Sequence, residues 1–169
     1  NSNAMYEQGA TVITNMTDDK VTIPENVGSL GIDSYYSLGS AFFDANRSKK
    51  ITAEVTVTGP DGSVISPTGG AINVNANPNF NFCDANWQNC VSSTWENRSL
   101  TVGANQVSGS MSIYLNVYRQ SESMAVQPLP AGTYSLAVKL LADGQEVAID
   151  SQPNGVNRTS YSGRYDVAA

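Results

Sequence analysis

Polar and apolar residues alternate along most of this chain, and a period of two predicts strands. The longest alternation runs through residues 71–82. Asn73, Asn75, Asn77, Asn79 and Asn81 interleave with Ile72, Val74, Ala76, Pro78, Phe80 and Phe82. Extended, that stretch has an amide face and an apolar face. Pro78 has no N–H to give to a ladder, so it marks an edge, a bulge or a break. Residues 51–58 alternate as cleanly, with Ile51, Ala53, Val55 and Val57 opposite Thr52, Glu54, Thr56 and Thr58. The turn sequence Gly59-Pro60-Asp61-Gly62 follows, and a four-residue loop there would pair Val57 with Val64. In residues 111–118, Met111, Ile113, Leu115 and Val117 share one face, and Ser112, Tyr114, Asn116 and Tyr118 the other.

Residues 133–150 read as a hairpin. Tyr134, Leu136, Val138 and Leu140 form its apolar face, and Asp143-Gly144 is the preferred pair for a two-residue turn. That turn sets Leu140 opposite Val147 and Val138 opposite Ile149. Weaker strand signals lie at residues 10–16, 98–102 and 160–167. Residues 20–23 would return beside the first strand after a turn at Asp18-Asp19. Residues 24–31 read as loop, residues 35–43 as a strand bent at Gly39, and residues 120–130 as connection. No helical stripe extends over about ten residues. Short strands separated by turn residues predict an all-β sandwich or barrel.

Composition agrees with that class. The chain has 169 residues, 40% of them hydrophobic, enough for one domain with a core. Charged residues make up only 14%, against the usual quarter. Ser, Thr, Asn and Gln supply the polarity instead. The formal charge is −6, and no basic cluster exceeds Arg47, Lys49 and Lys50, so nucleic acid and anionic membranes are poor partners. No apolar run approaches the ~20 residues of a membrane span. Ser2-Asn3-Ala4 looks like a tag remnant, which leaves residues 5–169 as the expected single domain.

Cys83 and Cys90 are the two cysteines, and the chain has no His. A zinc site is therefore disfavoured, and a disulfide around a short polar loop is expected. It implies an oxidising compartment: periplasm, cell surface or medium. Without His, the usual Ser-His-Asp and Cys-His arrangements are ruled out, no phosphate-cradling Gly loop is present, and most Asp stand in turn contexts. No enzymatic activity and no cofactor are expected. Asp44-x-Asn46-x-Ser48 and Asp84-x-Asn86-x-Gln88 begin like calcium loops, but neither has Gly at the sixth position or Glu at the twelfth. Side chains closing Asx turns account for them better. Sequons at Asn15, Asn97 and Asn157 matter only in a eukaryotic host.

Leu129-Pro130-Ala131-Gly132-Thr133-Tyr134 resembles the lead-in to the penultimate strand of fibronectin type III and related immunoglobulin-like domains. The resemblance implies an immunoglobulin-like antiparallel β-sandwich and a tyrosine corner, with the Tyr134 hydroxyl bonding backbone upstream. The length, and two strands after Tyr134 where one is usual, imply extra strands. More loosely, an Asn/Ser/Thr/Gly-rich sandwich with one disulfide and the closing Tyr161-Ser162-Gly163-Arg164-Tyr165 resembles a fimbrial subunit or adhesin domain.

Aromatic side chains are the candidate contacts. Trp87 lies inside the Cys83–Cys90 loop beside Asn86, Gln88 and Asn89, and Tyr114 and Tyr118 share the polar face of one strand. Rings cover apolar sugar faces while amides bond hydroxyls. The competing reading is packing, with Trp95 in the core and the Tyr pair under other structure. The Asn face has its own competing reading, a solvated strand whose polarity limits sticking. The expected function is a secreted or cell-surface module for adhesion or surface structure, its partners a glycan, a protein receptor or neighbouring subunits. The alternative is a carbohydrate-binding domain of an extracellular enzyme.

Overall fold

A computed structural model describes residues 7–13, 19–25, 27–65, 72–120, 126–147 and 158–166. For residues 7–13, 19, 33, 120, 126–127 and 158–166 it describes backbone alone. Ile149, expected opposite Val138, lies outside these residues, as do Asn15, Asn157 and residues 1–4.

The described chain forms twelve strands and one short helix. In order they are β1 (Glu7–Ile13), β2 (Asp19–Ile23), β3 (Val27–Leu38), α1 (Ser40–Ala45), β4 (Lys50–Thr58), β5 (Ile72–Cys83) and β6 (Val91–Ser92). There follow β7 (Leu100–Thr101), β8 (Ser108–Gln120), β9 (Val126–Gln127), β10 (Gly132–Ala142), β11 (Gln145–Val147) and β12 (Arg158–Asp166). All pairings are antiparallel. A seven-stranded sheet has the order β1-β12-β3-β8-β5-β6, with β9 on β8. A five-stranded sheet has the order β11-β10-β4-β7, with β2 on β10. This is the expected all-β sandwich.

Its core is the set of inward residues the alternation predicts. Val74, Phe80 and Phe82 of β5 and Met111, Ile113, Leu115 and Val117 of β8 are buried. Leu30, Ile32 and Tyr36 of β3 continue that layer. From the other sheet come Ile51, Val57, Tyr134, Leu136, Val138 and Leu140. Leu140 stands opposite Val147 on one side and Ala53 on the other, so the hairpin register read from the turn is correct. Asp143 and Gly144 have φ of 49° and 81°, the positive values such a tight turn requires. The Tyr134 hydroxyl donates to the carbonyl of Pro130 at 2.8 Å, the bond expected of a tyrosine corner. Burial pushes the Tyr134 hydroxyl pKa up to about 12, with the nearby Asp61 charge acting in the same direction.

Several local expectations need correction. β3 begins at Val27, where loop was expected, and does not continue past Leu38. Residues 40–45 form a single helical segment instead, because Phe42 and Phe43 are adjacent and both buried. Neighbours in a strand point to opposite faces, whereas here both rings close one end of the core. Phe43 packs edge-on against Phe82 at 5.0 Å. The return after β4 pairs Thr58, not Val57, with Val64. β2 does not fold back on β1: it pairs with β10, and β1 pairs with β12 in the other sheet.

Candidate recognition surface

Cys83 and Cys90 form a disulfide. Cys83 is buried at the end of β5 and Cys90 is exposed. Between them, Asp84 organises the loop. Its Oδ1 accepts the backbone N–H groups of Asn86 and Gln88, both at 2.9 Å, and its Oδ2 accepts Asn89 Nδ2 at 2.8 Å. The Gln88 N–H and then the Asn89 amide hold this carboxyl below its usual range. Asp84 thus closes the loop as an Asx turn, the reading favoured over a calcium ligand. Trp87 sits at φ 56°, a left-handed conformation uncommon for a bulky residue, and is 46% exposed. Asn86, Gln88 and Asn89 are exposed with it, but the Asn89 amide is spent on Asp84.

Tyr114 and Tyr118 lie elsewhere. β5 pairs with β8 along its whole length, and Tyr114 stands opposite Asn77 while Cys83 stands opposite Ser108. Six residues of strand separate Asn77 from Cys83, or about 20 Å. The six candidate contact residues therefore form two surfaces: a disulfide-held loop and a sheet face.

The sheet face is the larger. Its rows follow from register. Asn73, Asn75 and Asn77 of β5 neighbour Tyr118, Asn116 and Tyr114 of β8. On the far side of β8, those three residues neighbour Ser29, Gly31 and Asp33 of β3. Tyr114 is 50% exposed, so neither a second sheet nor a long loop buries it. The side chains of Asn79 and Asn81 are engaged: Ser93 Oγ donates to Asn79 Oδ1 and Ser92 Oγ to Asn81 Oδ1, each at 2.8 Å. Those two amides tie down β6 and the edge segment that follows it.

That edge segment carries Trp95, which is 75% exposed and not a core residue. Its two anchors on β5 are Ser93, whose N–H donates to the Phe80 carbonyl, and Arg98, whose Nη1 donates to the Ala76 carbonyl at 2.8 Å. Phe80 directs both its N–H and its carbonyl at Ser93, away from β8. By strand alternation Pro78 also turns its nitrogen away from β8, so its missing N–H breaks no ladder bond and β5 runs through it. The same side of β5 borders a cleft of about 280 Å³ lined by Val55, Val57, Ile65, Val74, Ala76 and Arg98, among others.

Two features escaped the sequence reading. Gly31 in the middle of the face was hidden because two glycines and Pro24 made residues 24–31 resemble a loop. The alternation of Leu30 and Ile32 with Ser29, Gly31 and Asp33 was the available signal. The contact of Asn75 and Asn77 with the Tyr strand had no local signal at all.

Among the described residues no helix is long and apolar enough to cross a membrane. Compared with known proteins, the chain matches no family model, no curated protein and no solved structure.

Proposed function

We propose that this chain is a non-catalytic recognition module acting outside the cytoplasm, an adhesive domain of a cell surface or secreted assembly. The observation that carries this reading is the outer face of the seven-stranded sheet, where half-exposed Tyr114 stands among side-chain amides. Such a ring offers an apolar face beside groups that both donate and accept hydrogen bonds. The disulfide supports an oxidising compartment. Recognition of this kind makes and breaks no covalent bond.

The test is retention. Beads carrying the protein are passed over arrays of glycans and of extracellular matrix proteins, and bound ligands are recovered and sized by mass spectrometry. Reversible capture of at least one ligand with unchanged chain length is expected. Capture of none, or shortened ligands, refutes the reading.

A second reading, assembly with neighbouring subunits, is favoured by the edge of β4. Among the described strands, β7 covers only Lys50 and Ile51, and the isolated bridge covers Thr58. The backbone between them has no described partner strand on that side. An extended segment from a neighbour would add there by main-chain bonding. Concentration-dependent oligomers in light scattering are expected on this reading, and a monomer at all concentrations counts against it.

A further inference from the structure

We infer that Tyr114, Asn116 and Tyr118, with Asn75 and Asn77 alongside, form a binding strip for a linear, neutral, β-linked polysaccharide. The inference rests on the recognition reading above and names its ligand class.

The geometry comes first. Tyr114 and Tyr118 project from the same face of one strand, four residues apart, or about 13 Å. Asn116 lies midway between them, with Asn75 on one side and Gly31 on the other. Gly31 has no side chain, so the strip dips at its centre and rises to a ring at each end. That length spans two to three linked pyranose rings. A ligand touching both Tyr rings must keep its sugar faces in line along a straight path. An extended β-linked chain does so, whereas a coiled α-linked chain does not.

The chemistry comes next. Among the described residues, no protein group bonds the side-chain amides of Asn75, Asn77 and Asn116 or the hydroxyls of Tyr114 and Tyr118. These groups offer both donors and acceptors, unlike Asn79 and Asn81, whose amide oxygens are already taken. No aliphatic side chain stands on the outward rows of β5 and β8. Rings with unspent amides between them suit hydroxylated six-membered rings.

Charge selects within that class. The outward side chains of β5 and β8 carry no formal charge. With the whole chain at −6, acidic polymers are disfavoured. Sheet twist turns one Tyr relative to the other, so a soluble chain free to twist fits better than a crystalline plane.

Affinity electrophoresis tests this directly. The whole protein is run through native gels containing mixed-linkage β-glucan, xyloglucan or galactomannan, with polygalacturonate and starch as controls. Retardation by at least one of the first three is expected, and none by the controls. Tyr114→Ala and Tyr118→Ala should each weaken retention on the order of tenfold at unchanged melting temperature. Tyr114→Phe should keep most of it, and Trp87→Ala all of it. If the Ala variants fold poorly, Tyr114→Val with Tyr118→Val keeps strand propensity without a flat ring and should still lose retention. Retardation by polygalacturonate or starch alone, no retardation, or retention that depends on Trp87 and not on the Tyr pair overturns the inference. Bead capture of a protein ligand with no polysaccharide retardation would sink the ligand class while leaving the recognition reading intact.

Discussion

Gly109→Ala should remove a large part of the folding free energy, and its sign is diagnostic. Gly109 pairs with Phe82 where β5 and β8 meet the end of the core. A Cβ built there would overlap the Asn81 carbonyl oxygen and sit 2.9 Å from Cζ of Phe43 and 3.1 Å from Cδ1 of Phe82. The nearest atom is backbone within the ladder, so relief requires moving β5 against β8 or displacing the Phe43 ring. Overpacking of this kind costs about 1–3 kcal/mol, and an obstructing backbone atom puts the value near 3. Against a typical stability of about 5–15 kcal/mol, that is a substantial fraction. At about 2–4 °C per kcal/mol for a chain of this size, the melting temperature falls roughly 6–12 °C. Where the added methyl fits, Gly→Ala instead stabilises by about 0.4–1 kcal/mol through the unfolded chain. Gly59 is the control, because its nearest atoms to a built Cβ lie at 3.5 Å or beyond. Urea unfolding of the oxidised protein, followed by far-ultraviolet circular dichroism, separates the cases, since the exposed Trp87 and Trp95 are poor reporters of the core. A neutral or stabilised Gly109→Ala would refute the close approach of the two strands.

The other predictions concern separate parts of the molecule. Leu140→Ala, which empties a fully buried position facing Val147 and Ala53, should cost about 2–5 kcal/mol by the same measurement, and a loss under ~0.5 would contradict the hairpin register. Tyr134→Phe should cost about 1 kcal/mol by breaking the bond to Pro130. Because the folded pKa of about 12 exceeds the ordinary 10.0, this hydroxyl's contribution is complete below pH 10. It is lost as pH rises towards 12, and the alkaline slope of stability should flatten in Tyr134→Phe. Asp84→Ala should loosen the disulfide loop, seen as faster amide exchange at Asn86 and Gln88. In the wild type the lowered Asp84 pKa keeps the loop ordered at pH 3.8, with order lost only as pH falls further; loosening already complete at pH 4 would contradict that. Thiol titration of the unfolded, unreduced protein should find no free thiol, and two would remove the argument for an oxidising compartment.

The alternation of Asn with Ile, Val, Phe and Pro in residues 72–82 fixed which face of β5 is buried before any partner was known, because a strand has only two faces. Asp143-Gly144 fixed the register of Leu140 with Val147 in the same local way, through the backbone angles that the turn demands. The Cys83–Cys90 loop and the Tyr134 corner were also legible, since each spans only a few residues. Local rules failed where one residue served two geometries. Phe42 and Phe43 read as strand because apolar neighbours fit a buried strand as well as a short helix. Gly31 read as loop because a glycine on an exposed sheet face looks like a turn.

Which strands become neighbours was decided only by tertiary structure. β1 and β2 are adjacent in sequence, yet they joined different sheets. The pairing of β5 with β8 brought Asn75 and Asn77 beside Asn116 and Tyr114, and so assembled the strip from segments more than thirty residues apart in the chain. Several strands here share the same two-residue pattern and are interchangeable by local criteria. Closing one core between two sheets selects among them, and that choice depends on contacts no single segment contains.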